Sequence, residues 1–240
     1  MPSPLLLIAG GPGAGKTALG AAHLRARGLD VFDPVDFARD VVYFTGSDAD
    51  AAVHEGLEEG IRRLVQAVEA DTPLAIETTL ADPRVVAQVL RAAGAGRPVG
   101  IWFFGLADAG QHVARARRRA AVTGLPLDEG RIRQEVQVVL EHLCLVAPHV
   151  QDLRLLDNSG EREPGEQFPP PPSLVLDVPS PATGEPVRFD LPSTPDWAKP
   201  VFEALQVHWL YELGSCELPG DLSCPDVCRS SAPDTFERTR

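Results

Sequence analysis

The sequence predicts an α/β protein: about five parallel strands forming one sheet, with helices on both faces, followed by an irregular proline-rich extension. Two observations predict it. Over the first 160 residues short apolar runs alternate with amphipathic helical stretches, as strand–helix–strand units require. Beyond that point the composition shifts, and 11 of the 23 prolines fall between Pro164 and Pro200, which excludes a regular helical domain there.

Leu5 to Ala9 is an apolar run closed by glycines, as a buried parallel strand should be. A helix from Lys16 to Arg27 stops at Gly28, and Leu29 to Phe32 forms the second strand. Ser47 or Asp48 caps a long helix with Val53, Leu57, Ile61, Leu64, Val65 and Val68 on its apolar face. Strand three, Leu74 to Ile76, leads into Glu77-Thr78-Thr79. Asp82-Pro83 places an N-cap before a proline at the first helical position. Val99 to Phe104 is the fourth strand. Asp108 opens a basic helix that ends at Gly124, Asp128 caps the next helix, and Leu153 to Leu156 is the fifth strand. The extension from residue 161 holds a small hairpin at about 174–191 and a helix at about 197–213, with Trp197, Val201, Leu205 and Trp209 on one stripe. Cys216, Cys224 and Cys228 lie in a polar tail; with His208 they could bind zinc, but free thiols explain them more simply.

The 240 residues include 44% hydrophobic and 23% charged side chains, ordinary globular composition. A formal charge of −12 argues against general nucleic-acid or anionic-membrane binding, since the summed field repels both. No apolar run approaches the ~20 residues of a membrane span. The opening Pro4 to Ala9 run is short and lacks a basic flank, so a cytoplasmic protein is expected.

Chemistry concentrates in Gly10-Gly11-Pro12-Gly13-Ala14-Gly15-Lys16-Thr17, which fits G-x-x-x-x-G-K-[ST]. Glycines let backbone N–H groups curl round an anion, and the helix N-terminus starting at Lys16-Thr17-Ala18 adds partial positive charge. Lys16, one of only two lysines, would bridge the outer phosphates of ATP, and the Thr17 hydroxyl would hold Mg²⁺. No N-K-x-D guanine signature follows, nor a strand ending in Asp-Glu. Asp36, twenty residues after Lys16, can accept the proton of an attacking hydroxyl; the bland reading is a turn or cap, a role Asp33 already fills. Arg115, Arg117, Arg118 and Arg119 crowd one helix, with Arg131 and Arg133 beyond a turn. They form either a lid over the triphosphate or a solvated basic face. Glu77, Thr78 and Thr79 emerge at a strand end, where open parallel sheets bind ligands.

These pieces together resemble the zeta-toxin family of P-loop kinases, whose best-understood members phosphorylate UDP-N-acetylglucosamine. The residues that carry it are Ile8 to Thr17, Asp33 to Arg39, Glu77 to Leu80, Arg115 with Arg119, Ile132-Arg133, and Asp157-Asn158-Ser159, spanning about residues 4–160. The resemblance implies a P-loop kinase fold, Lys16 on the β/γ-phosphates, Thr17 on Mg²⁺, and Asp36 as base for a sugar hydroxyl. It implies an acceptor site of Asp36, Arg39, Glu77, Thr78 and Thr79, with Asn158 near the adenine. Arg119 and Arg133 match the two lid arginines, with Arg115 and Arg131 as alternates. Expected partners are ATP, a small-molecule hydroxyl acceptor and an antitoxin protein. The sequence departs from the family at Thr123-Gly124-Leu125 in the lid turn, at Gln134, and at Val41-Val42-Tyr43, where many relatives carry Gly-Gly-His, a second arginine and His-Pro. Within the enzyme class the runner-up is a related kinase for another metabolite or an antibiotic hydroxyl. From a different class, the residues also fit a nucleotide-binding interaction module whose C-terminus docks a partner.

Overall fold

In the computed structural model, which describes residues 2–123, 128–162, 165, 167, 169–189 and 192–213 (the side chains of 123 and 207–213 excepted), β1 (Leu5–Ala9) lies inside a six-stranded sheet. It pairs in parallel with β2 (Leu74–Thr78) on one side and β3 (Val99–Gly105) on the other. The parallel strand β4 (Asp152–Asp157) follows β3. Two strands of the extension, β5 (Ser173–Val178) and β6 (Arg188–Phe189), then continue the sheet antiparallel.

The sheet is therefore mixed, which corrects the expectation of five parallel strands. The proline-rich segment supplies the reason. Without it β4 would be an open edge, and Leu174 and Leu176 can pair with that edge directly. The expected strand at Leu29 to Phe32 shrinks to a single parallel bridge between Phe32 and Ile76, held by Phe32 N–H to Ala75 and Glu77 N–H to Phe32. Asp33 caps a helix at once, leaving no length for a ladder.

Helices follow from local signals. A π-helical stretch, Lys16–Ala21, runs into α1 (Ala22–Arg25), with Gly28 at positive φ closing the turn. Asp33 caps α2 (Pro34–Thr45), Asp48 caps α3 (Ala49–Ala70) and Asp82 caps α4 (Pro83–Gly94). Next come α5 (Ala109–Thr123), α6 (Glu129–Val146) capped by Asp128, and α7 (Lys199–Leu213). The larger core lies on one face, where Leu7, Ile101, Phe103 and Leu155 meet Val89, Leu143, Trp197 and Val201. The opposite face packs Ile8 and Phe104 against Ala21, Leu24 and Val31. No helix among the described residues is long and apolar enough to cross a membrane.

Candidate nucleotide site

Backbone conformation shapes the loop between β1 and Lys16. Gly10 has φ +142°, and a Cβ there would stand 2.3 Å from the Phe104 carbonyl oxygen. Gly15 has φ +97°, with a hypothetical Cβ 2.6 Å from Asn158 Nδ2. Neither position admits another residue without rebuilding its neighbour. Two side chains pin the loop from outside. Buried Asn158 donates from Nδ2 to the Ala14 carbonyl at 2.9 Å. His112 Nδ1 lies 2.7 Å from the Pro12 carbonyl, and since that oxygen can only accept, Nδ1 carries the proton. Burial depresses the His112 pKa, so the ring is held neutral with Nε2 as an acceptor. Lys16 Nζ donates to the carbonyls of Gly10 at 2.8 Å and Gly11 at 3.1 Å. Burial pulls its pKa below the ordinary lysine value; the charges of Glu77 and Glu135 oppose that and Arg119 reinforces it.

Thr17 stands between two acids. Its Oγ1 is 2.9 Å from Glu77 Oε2 and 3.3 Å from Asp33 Oδ2. One hydroxyl proton can serve one of them, and the shorter distance favours Glu77. Asp33 uses its other oxygen to cap α2, accepting from the Val35 N–H at 2.8 Å. Glu77 is 3% exposed, and its Oε1 is buried with no hydrogen-bond partner. Burial first, then the Asp33 charge, pushes its carboxyl up to about 7. A hydroxyl beside two carboxylates, one oxygen unpartnered, is an all-oxygen donor set that suits Mg²⁺. Thr78 and Thr79 turn their hydroxyls to the N–H groups of Leu80 and Ala81, shaping the bend in which Leu80 takes φ +64°.

Asp36 sits in the first turn of α2, half-exposed, paired with Arg39 and 3.6 Å from Arg25. It has no hydrogen bond with Thr17; the acids that reach that hydroxyl are Glu77 and, from the same segment as Asp36, Asp33. The arginines of α5 separate in role. Arg115 donates to the Gly160 carbonyl at 3.0 Å, Arg118 pairs with Glu161 at 3.7 Å, and Arg117 pairs with Glu129. The charge of Arg119 acts on Lys16. Arg131 is exposed, and Arg133 lines a cavity beside Gly11. Sequence reasoning missed His112 and the second contact of Asp33. His112 precedes Arg115 by three residues on one helical face, the signal that could have found it. The lid turn at 124–127, the side chain of His208, and Cys216, Cys224 and Cys228 lie outside the described residues. Among those described, no group of three or more His, Cys, Asp or Glu is placed to hold a metal.

No protein-family model matches the chain, and comparison with curated proteins finds no match. Its fold is similar to solved structures. A native crystal structure of the AvrRxo1-ORF1:-ORF2 complex matches with a TM-score of 0.57 and 14% identity, over 87% of this chain and 71% of that chain. The AvrRxo1-ORF1:AvrRxo1-ORF2 structure with sulphate ions matches with a TM-score of 0.52 and 15% identity, over 85% and 64%. A structure of the PezAT chromosomal toxin–antitoxin system of Streptococcus pneumoniae matches with a TM-score of 0.48 and 14% identity, over 86% and 85%. The first two carry the fold likeness.

Proposed function

We propose that the chain is an ATP- and Mg²⁺-dependent phosphotransferase that phosphorylates a hydroxyl of a small molecule, a nucleotide-sugar such as UDP-N-acetylglucosamine being the leading acceptor. The observation that carries this reading is the meeting of Lys16, Thr17, Asp33 and the orphaned Glu77 Oε1 at the mouth of the glycine loop. Thr17, Asp33 and Glu77 would hold Mg²⁺, which when bound neutralises charge on the outer phosphates. The N–H groups of the loop from Gly10 to Thr17 cradle the phosphates, and Lys16 exchanges its carbonyl partners for β/γ-oxygens.

Asp36, oriented by Arg39, takes the proton as the acceptor hydroxyl oxygen attacks the γ-phosphorus. The bond from that phosphorus to the β–γ bridging oxygen breaks, and ADP leaves with the bridging oxygen. Arg119, whose charge already reaches Lys16, meets the charge growing on the transferring group. His112 and Asn158 hold the loop in shape. A cognate protein partner belongs to the same proposal, because the two AvrRxo1 structures similar in fold hold ORF1 together with ORF2.

The test incubates the protein with ATP, Mg²⁺ and UDP-N-acetylglucosamine, and in parallel with a bacterial metabolite extract, followed by mass spectrometry. A phosphorylated acceptor that appears only with intact Lys16 supports the reading. ATP binding with no phosphorylated product in either mixture would make the chain a nucleotide-binding module instead.

A further inference from the structure

At the foot of the α5–α6 hairpin the sheet leaves a cavity of about 350 Å³. It opens between the C-terminal end of β3, the first turn of α5, the middle of α6 and Trp197. That volume falls in the ~300–1,000 Å³ range of small-molecule sites. Its walls are apolar: Phe103, Leu106, Val136, Val139, Leu140 and Trp197. The indole is a fixed wall. Its Nε1 donates to Asp157 Oδ1 at 3.2 Å, its ring tilts on Phe103 at 5.7 Å, and it lies so close to Gly105 that any Cβ there would come within 2.4 Å of it.

Four polar side chains complete the lining: Asp108, His112, Arg133 and Gln137. Arg133 makes no hydrogen bond or ion pair with any described residue. Arg133 is exposed, and a guanidinium with no partner among the described residues at the edge of an apolar cavity is placed to take an anionic one. Asp108 limits how much negative charge can enter, with one oxygen already accepting from the Gln111 N–H at 2.9 Å. The neutral His112 offers Nε2 as an acceptor.

We propose that this cavity binds a small monoanion with an aromatic or branched apolar body, its acid group on Arg133 and its body against Trp197. The site differs from that of the triphosphate. Phosphates are taken by loop N–H groups, whereas the cavity meets the loop at Gly11 and through His112 on the Pro12 carbonyl. Asp108 disfavours a polyanion there.

The experiment titrates 2-naphthoate into the full-length protein by saturation-transfer NMR, with uncharged 2-naphthamide as the control and with Mg·ATP as competitor. Saturable one-to-one binding is expected, about tenfold tighter for the acid than for the amide. Arg133→Gln should erase that preference. Leu140→Trp, which fills the cavity, should weaken binding at least about tenfold. Gln137→Trp, which covers the mouth from an exposed position, should do the same if the core variant fails to fold. Absence of saturable binding, equal affinity for the amide, binding retained in both tryptophan variants, or displacement by Mg·ATP would each overturn the proposal.

Discussion

Thr17 Oγ1 lies 2.9 Å from Glu77 Oε2 across 60 residues of chain, and sheet register brings them together. Pairing of Ile8 with Glu77 and Ala9 with Thr78 sets the carboxylate beside the strand that enters the glycine loop. The other Glu77 oxygen is buried without a partner, which costs stability unless a cation or a proton occupies the site. Glu77→Gln should therefore fold normally but bind Mg²⁺·nucleotide with about 10–100-fold weaker dependence on the metal, the range for lost support of a metal site. Calorimetric titration of nucleotide at several Mg²⁺ concentrations checks this. Unchanged metal dependence would remove Glu77 from the site.

Asp36 and Asp33 are three residues apart yet face different neighbours, and their variants should separate. Asp36→Asn should bind ATP nearly as the parent does while phosphoryl transfer falls about 10²–10⁴-fold, the usual loss for a general base. Asp33→Asn should instead change metal dependence, because its Oδ2 faces Thr17. Single-turnover rates measured beside nucleotide affinity distinguish the two. A loss of affinity in Asp36→Asn with its transfer rate intact would reassign it to binding.

Much of this was legible in local signals. Asp82-Pro83, Asp128 and Asp48 each announce a helix start, and the structure places caps there. The glycine loop is a contiguous motif, so its place between strand and helix needs no tertiary information. What stayed hidden depends on distant partners. Nothing around Leu174 says that it will pair with Leu156 rather than form a separate hairpin. Cap chemistry accounted for one oxygen of Asp33, but its second contact depends on where Thr17 lands. His112 reads as an ordinary helix residue until the chain brings Pro12, a hundred residues away, against it.

His112 also sets a pH dependence. Burial depresses its pKa below the ordinary value near 6.5, so the unfolded chain takes up a proton more readily than the folded one. Stability from this residue is present above about pH 6.5 and is lost as pH falls through the lower folded value. Thermal melts should show the parent losing more stability between pH 8 and pH 5 than His112→Gln, which lacks the titrating ring. Parallel curves for the two proteins would mean that His112 is not held neutral.

Trp197 helps to fasten the extension to the sheet. Trp197 is 8% exposed and meets Gly105, where an added Cβ would fall 2.4 Å from the ring. Trp197→Ala should cost about 3–5 kcal/mol in urea denaturation, the range for truncating a large buried aromatic. Gly105→Ala should also destabilise the parent, because the ring is held by Asp157 and Phe103 and has little room to yield. In the Trp197→Ala background the same Gly105→Ala change meets empty space instead of an indole. The double variant should therefore lose less than the two single losses added together, with a coupling of about 0.5–3 kcal/mol, as expected for residues in contact. Strict additivity would mean that Trp197 does not pack on Gly105.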